Sequence, residues 1–556
     1  MTTKSDSPRL DHVNQPNARN QSDPRSQSLD HTSLVLALYA RWSADHQSPS
    51  IEYQPTIVRW INETSLNQVS LDKAYIDETS IDQTWTINQL KIEIEKTAGY
   101  LHALQLKRGD IIGVQLPRSI DWLPLFLGAL SQGIAILLLN DAYTPRELSE
   151  CLNDSGARYA ILPSKHHSAL KLNCKVRLID AEMLHTNRIK HPRLKPHSDI
   201  TGDNLAVLAY TSGTTGRPKG ARIRHRDIIG TLQALHRAWE WSPRDRLLHT
   251  LPLFHIHGLF VAALGALWAS AELMILPNFE ALKALRAVER YQATILMGVP
   301  THHHRYLKVS ADIRPKIDSL RLVTSGSAPL SAEHFDTFKK SFGIEIVERY
   351  GMTEVGIVLS APLHGEKKAG SVGFPLPGVH AKVCDADHRI LPPNQEGELH
   401  ISSLSLFEGY HQRIEATHAA LYHDDNGQRW MKTGDIAYQD QDGRYWLKGR
   451  ASELIISGGL NVYPKEVERV LYEQGEAWLD EVAVVGITDL EWGERVVAFI
   501  TTVDMYPPTP QQILNLKNKV RTKLARFKCP KEIHWIKSLP RNAMGKLQRF
   551  KLKKSK

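Results

Sequence analysis

Short apolar runs alternate with amphipathic stretches along most of the chain. IIGVQLP (Ile111 to Pro117), YAILPS (Tyr159 to Ser164) and ATILMGVP (Ala293 to Pro300) have the length and bounding turn formers of buried strands. GDNLAVLAY reads as another strand, followed by a polar loop and a return through ARIRH. That return leads into a helix capped by Asp227, with Ile228, Ile229, Leu232, Leu235 and Trp239 on one face. Strand and helix patterns that alternate in this way predict an α/β fold with largely parallel sheets. One apolar run, Gly258 to Leu276, is long enough to suggest a membrane span. Glu272 interrupts it and Pro277 ends it, so a buried helix followed by a buried strand is expected.

Near the C-terminus the pattern changes. GRYWLKGR follows the turn QDG as a hairpin strand. Beyond Arg450 come a strand pair around EVAVVGI and ERVVAFI, a helix from Gln511 to Arg526 and a last strand, EIHWIKSLP. These make a small α+β domain over residues 451–556, after a large domain over 29–450. Residues 1–28 are polar, rich in Asn, Ser, Pro and Asp, and lack an apolar core segment. They read as a disordered tail rather than a signal peptide.

Composition refines this picture little. A chain of 556 residues is too long for one core. The net charge of +9 is scattered rather than clustered, which argues against nucleic acid as the partner. Four cysteines without CxxC spacing suggest neither a disulfide framework nor a zinc centre. A soluble protein of the reducing cytoplasm, without membrane insertion, is expected.

Candidate chemistry begins at YTSGTTGRPKGA, Tyr210 to Ala221. Glycine-freed N–H groups, hydroxyls and a lysine are suited to holding phosphate. The spacing is not that of a Walker A loop, which needs four residues between its first glycine and a Gly-Lys pair. Four further motifs follow in order: ERYGMTE, KTGDIA, GRASELIISGGLNVYPKEVE and LPRNAMGKLQR. From roughly Thr84 to Lys553 the chain resembles the acyl-adenylate-forming enzymes, which include acyl-CoA synthetases, luciferases of the firefly type and adenylation domains of peptide synthetases. The resemblance implies a large N-terminal domain joined to a small mobile C-terminal one. It also implies a two-step reaction. A carboxylate attacks the α-phosphorus of ATP to give acyl-AMP and pyrophosphate, and a thiol then takes the acyl group.

By the same resemblance Thr211, Ser212, Gly213, Thr214, Thr215, Gly216 and Lys219 hold the β and γ phosphates. Ser327, Ala328, Glu348, Arg349, Gly351 and Met352 fall in the ATP-binding segments. Tyr350 stacks on adenine, Thr353 donates to the α-phosphate and Glu354 holds Mg²⁺, a hard cation for which one protein carboxylate with waters suffices. Asp435 accepts the ribose hydroxyls and Arg450 contacts ribose or phosphate. Lys546 is the adenylation lysine, and Gly458 and Gly459 line the thiol channel. Ser452 stands at the hinge, where Asp or Lys is common.

The acid is less legible. His255, in LPLFHIHGL, and Gly326 match acid-contacting positions. Arg305, in MGVPTHHHRYL, lies on the helical face expected to point at the acid and could pair a distal carboxylate. With the other motifs this resembles malonyl-CoA synthetases, making malonate or a related short dicarboxylate the leading substrate. Fatty or aromatic acids, transfer to an acyl carrier protein instead of coenzyme A, and a non-catalytic nucleotide-binding role are the alternatives. His255, His257 and His302 to His304 also raise a zinc site, although no acidic or cysteine ligand accompanies them.

Overall fold

The computed structural model describes residues 32–45, 56–67, 82–171, 175–211, 219–328, 330–457, 460–475, 478–489, 492–541 and 547–554. The tail 1–28, most of the phosphate loop (212–218), Gly458, Gly459 and Lys546 lie outside the described residues.

Three sheets organise what is described. In the first, Ala135–Leu138, Ile111–Val114, Tyr159–Leu162 and Arg177–Asp180 run parallel to Leu205–Thr211. The first three of these are buried at every position, which is why they read as unbroken apolar runs rather than alternating ones. Leu205–Thr211 then turns back antiparallel into Lys219–Arg224. The second sheet has a parallel half, where Arg246–His249, Glu272–Ile275, Ile295–Gly298, Leu322–Ser325 and Val347–Met352 are neighbours. From Gly356–Ser360 to Tyr445–Arg450 it continues with antiparallel pairs. The fold is α/β as expected, but its sheets are mixed, with parallel pairing concentrated in the N-terminal part. Ile455–Ser457 opens a separate sheet dominated by the long pair Leu479–Asp489 and Gly493–Thr502. The basic helix there spans Pro510–Lys523, begun by a Thr509 capping box.

The run that suggested a membrane span is a helix and then a strand. His257–Leu264 is wound as a π-helix, continues into Gly265–Trp268 and precedes the strand Glu272–Ile275, and all of His257–Trp268 is buried. No helix among the described residues is long and apolar enough to cross a membrane. At Gly258 a side chain would come within 2.0 Å of the Pro252 carbonyl oxygen, and the Gly258 carbonyl in turn lies 2.8 Å from His249 Nε2. One local expectation is corrected. The helix His225–Ala238 is entered from Arg224, while Asp227 sits three positions later and accepts the Arg224 backbone N–H at 2.8 Å. Asp227 also takes both ends of the Arg224 guanidinium, so the pair closes the helix start by charge where a lone cap was expected. The apolar face is as read, since Ile228, Ile229, Leu232, Leu235 and Trp239 are all buried.

Candidate functional site

Two strand ends bring together residues expected to hold the nucleotide. Tyr350 lies on Val347–Met352, and Asp435 and Arg450 are cross-strand partners on Arg429–Gln439 and Tyr445–Arg450. The Tyr350 hydroxyl donates to Asp435 Oδ2 at 2.5 Å, and Arg450 Nε meets Asp435 Oδ1 at 2.8 Å. Arg450 Nη1 also donates to the Thr433 carbonyl at 2.9 Å. Burial and the Asp435 carboxylate push the Tyr350 phenol well above its ordinary value, so it stays a neutral donor. Residues 85 and 100 positions apart from Tyr350 are thereby locked into one hydrogen-bonded unit.

At the phosphate end, Thr211 and Lys219 face each other across the hairpin, so the loop expected to hold phosphates starts and ends on one rigid strand pair. Glu354 is buried, and its Oε1 accepts from the Tyr410 hydroxyl at 3.0 Å and from Thr211 Oγ1 at 3.4 Å. Burial raises the Glu354 carboxyl, with the two hydroxyls and Arg450 opposing. Lys219 Nζ lies 5.3 Å over the Tyr410 ring. Tyr410 thus touches both the carboxylate and the lysine. Sequence reasoning missed it, because its place comes from the short strand Gly409–Tyr410 pairing with Ala221 and Arg222, a contact with no local signature. Asp154 is a second omission. It accepts from Tyr210 and from Arg413, both at 2.6 Å, and so braces the strand just before the loop.

Glu354 has the chemistry a magnesium ion needs: an oxygen ligand, buried, ringed by hydroxyls, with no described salt-bridge partner. No described group of three or more His, Cys, Asp or Glu could hold a metal, which leaves the histidine-based zinc reading without support.

The residues expected to face the acid are different in character. His257 Nδ1 lies 3.5 Å from Ser327 Oγ, and the His257 N–H donates to His255 Nδ1 at 3.2 Å. Ser327 has φ of 67°, a left-handed conformation uncommon outside glycine, and it follows Gly326. Burial, and then the nearby Arg349, lower the His255 imidazole to about 4 and that of His257 well below its usual value, so both are neutral. Arg349 was expected among the nucleotide contacts, but it points away from Tyr350 and Asp435. Its guanidinium packs over Gly326, where a side chain would come within 2.4 Å of Cζ. Strand alternation explains the difference, since neighbours on Val347–Met352 face opposite sides of the sheet. Glu348 accepts from the Gly370 N–H at 2.9 Å. Its carboxyl is raised by burial to about 7.

Arg305 also departs from expectation. It is exposed, and its guanidinium lies 5.7 Å from the Phe279 ring, at the margin of the histidine cluster rather than within it. His302, one turn earlier, stacks on that ring at 3.8 Å and 9° and is neutral, lowered by burial to about 3. Helix Pro300–Leu307 turns His302 and Arg305 to the same aromatic ring, and only the histidine side reaches inward. Thr353 is half-buried beside Glu354, Ala328 is exposed, and Gly351 and Met352 end the Tyr350 strand. Ser452 falls on the 3-10 turn Ala451–Glu453, directly after Arg450.

A family model described as AMP-binding enzyme matches residues 63–411, and one described as AMP-binding enzyme C-terminal domain matches 466–546. The sulfoacetate–CoA ligase of Cupriavidus necator is 32% identical over 461 residues, 81% of this chain and 88% of that protein. The mitochondrial malonate–CoA ligase of Mus musculus is 35% identical over 386 residues, 63% of this chain and 64% of that protein. The crystal structure of ATP-bound MatB from Rhodopseudomonas palustris superposes with a TM-score of 0.81 at 29% identity, covering 94% of this chain and 99% of that one.

Proposed function

We propose a substrate class for a chain that belongs to the AMP-binding enzyme family and is an AMP-forming acid–CoA ligase, joining a carboxylic acid to CoA at the expense of ATP through an acyl-AMP. The acid is a short one carrying a second anionic group near its reacting carboxylate, malonate being the simplest case. One observation carries this reading. The acid side of the site is lined by neutral imidazoles, Ser327 and the buried Arg349, where a fatty acyl tail would need apolar walls. Two of the relatives are named for sulfoacetate and malonate, acids with an anionic group at each end.

In this reading Tyr350, Asp435 and Arg450 hold the nucleoside. The 212–218 loop, between Thr211 and Lys219, holds the leaving pyrophosphate. Glu354 holds Mg²⁺, whose charge offsets the phosphates as the carboxylate approaches. Thr353 donates to the α-phosphate, and Lys546 neutralises it during adenylation. In the second step the thiol of CoA reaches the acyl-AMP along Gly458 and Gly459. CoA is preferred to a carrier protein because the acid–CoA ligases among the relatives support it and nothing favours a carrier. A cytoplasmic location belongs to the same proposal, supported by the three described cysteines being free thiols.

Carboxylate-dependent ATP–pyrophosphate exchange, measured across malonate, succinate, sulfoacetate, butyrate, octanoate and benzoate, tests the substrate class. Exchange is expected to be strongest with the short doubly anionic acids, and equal or faster exchange with butyrate or octanoate overturns the reading.

A further inference from the structure

The carboxylate of Asp154 is used twice. Its Oδ2 accepts from the Tyr210 hydroxyl and its Oδ1 from Arg413 Nη2, each at 2.6 Å. Asp154 stands near the end of the helix Pro145–Ser155, which a Thr144–Glu147 capping box opens and Gly156, at φ 70°, closes. Leu148, Cys151 and Leu152 of that helix share one buried cluster with Tyr210, so the carboxylate is carried on a fixed post. Burial, and then Asp154 itself, push the Tyr210 phenol well above its ordinary value, which keeps it a neutral donor.

Both partners lead toward Glu354 and the phosphate loop. Tyr210 lies directly before Thr211, where its strand gives way to the loop 212–218. Arg413 lies three residues after Tyr410, and its backbone N–H donates to the Tyr410 carbonyl at 3.2 Å. Among the described residues Asp154 is the one carboxylate that meets Arg413. The strand Gly409–Tyr410 is two residues long and sits at the edge of its sheet, against Arg222 and Ala221. So short an edge strand makes too few ladder bonds to fix its own register. Thr417 Oγ1 helps by accepting the Tyr410 N–H at 2.9 Å, and the His411 N–H reaches the Gly220 carbonyl at 2.8 Å. The Arg413–Asp154 pair adds the tie to a separate helix. Register matters here, because the Tyr410 hydroxyl reaches Glu354 Oε1 at 3.0 Å and its ring underlies Lys219.

We infer that Asp154 is a positioning residue for Glu354 and the phosphate loop. Through Arg413 it holds residues 409–413 in the register that keeps the Tyr410 hydroxyl on Glu354. Through Tyr210 it fixes the strand from which the phosphate loop departs. This rests on Glu354 holding Mg²⁺, as proposed above, and adds a support that acts on that carboxylate through Tyr410. Removing a partner that orients a ligating carboxylate changes metal affinity by about 10- to 100-fold.

The test uses the full-length protein as wild type, Asp154→Asn, Asp154→Ala, Arg413→Met, Glu354→Gln, Tyr410→Phe and the double variant of Asp154→Asn with Tyr410→Phe. Mn²⁺ affinity is read by electron paramagnetic resonance in the presence of α,β-methylene-ATP, beside pyrophosphate exchange at varied Mg²⁺ and melting temperature. Asp154→Asn, Asp154→Ala and Arg413→Met should each weaken Mn²⁺ binding by about tenfold, and saturating Mg²⁺ should restore most of the exchange they lose. On the Tyr410→Phe background Asp154→Asn should cost less than about twofold more, because both changes act on the same contact. The KM for the acid should stay within about twofold of wild type in the Asp154 and Arg413 variants. Wild-type Mn²⁺ affinity in those variants, or a loss that multiplies with that of Tyr410→Phe, overturns the inference and leaves Asp154 a brace whose removal lowers only the melting temperature. Should Asp154→Ala fail to fold, Arg413→Met decides alone, since it cuts the same pair from a partly exposed side chain. If Glu354→Gln binds Mn²⁺ as wild type does, the metal role of Glu354 falls and takes this inference with it. If Glu354→Gln loses Mn²⁺ while Arg413→Met keeps it, the metal role stands and the role of Asp154 falls.

Discussion

The two sides of the site satisfy their polar groups in opposite ways. Among the residues proposed to hold the nucleotide, Tyr350, Asp435 and Arg450 answer one another, and Glu354 is met by Tyr410 and Thr211. Among the residues proposed to face the acid, Arg349 Nε and Nη2, His257 Nε2 and His302 Nδ1 are buried with no hydrogen-bond partner among the described residues. A surface that neutralises itself accepts a ligand every adenylating relative shares, and it can be organised in advance. A surface left unbalanced is completed only by the right ligand, and on the proposed reading discrimination resides there.

The sharpest way to break this contrast is Asp435→Asn. It removes the charge that joins Tyr350 to Arg450 and leaves a half-buried guanidinium without its carboxylate. Pyrophosphate exchange should fall about 10²-fold, with the KM for ATP carrying most of the loss. The ratio of malonate to butyrate activity should not move. A shift in that ratio would show that the two sides are coupled rather than separate.

A smaller effect is expected from Tyr410→Phe, which deletes one donor to a buried carboxylate. Hydrogen bonds to charged groups contribute about 1.5–3 kcal/mol, so activity at limiting Mg²⁺ should drop at least tenfold. Saturating Mg²⁺ should recover most of it. Loss that Mg²⁺ does not relieve would place Tyr410 in the structure of the hairpin rather than in support of Glu354.

The smallest effect is on stability and involves the buried imidazoles. Burial lowers His225 and His249 to about 3 and His303 to about 4. Each is neutral when folded and takes up a proton when unfolded once the pH drops below about 6.5. Stability is therefore lost as pH falls from 6.5 toward 4, by about 1.4 kcal/mol per imidazole at one unit below the ordinary value. Glu348, raised by burial to about 7, acts in the opposite sense, because its neutral form is favoured in the fold as pH falls from 7 toward 4.5. His255, His257 and His302 are lowered as well and Glu354 is raised, so the imidazoles outnumber the carboxyls, and melting temperature should decline between pH 7 and pH 5.5. A flat profile over that range would show these imidazoles to be wetter than their burial implies.

What could be read from the sequence follows from how far apart the contacting residues lie. Ile111–Val114, Tyr159–Leu162 and Ile295–Gly298 were legible as strands because burial on both faces leaves continuous apolar runs. The order of the five motifs pointed to the reaction. Tyr410 and Asp154 were not legible, since each reaches its partner across a sheet edge or between distant segments. For Arg349 the motif and the side-chain direction point to different neighbours. Membership of ERYGMTE suggested the nucleotide, whereas the direction of its side chain is set by alternation along the strand. Arg305 keeps the helical spacing read from the sequence, and its side chain is exposed beside the Phe279 ring.

The π-helical stretch His257–Leu264 adds a consequence for how such a pocket changes through descent. A helix with i to i+5 bonds holds one residue more per turn than an α-helix would at the same place. Deleting a single residue within it would let the segment relax to 3.6 residues per turn and change how the residues at its start are turned relative to those at its end. His257 heads this stretch, so one lost codon could turn its ring away from Ser327 and Arg349 while the rest of the core stayed packed. Length variation here offers a route to new acid specificity that a survey of point substitutions would pass over.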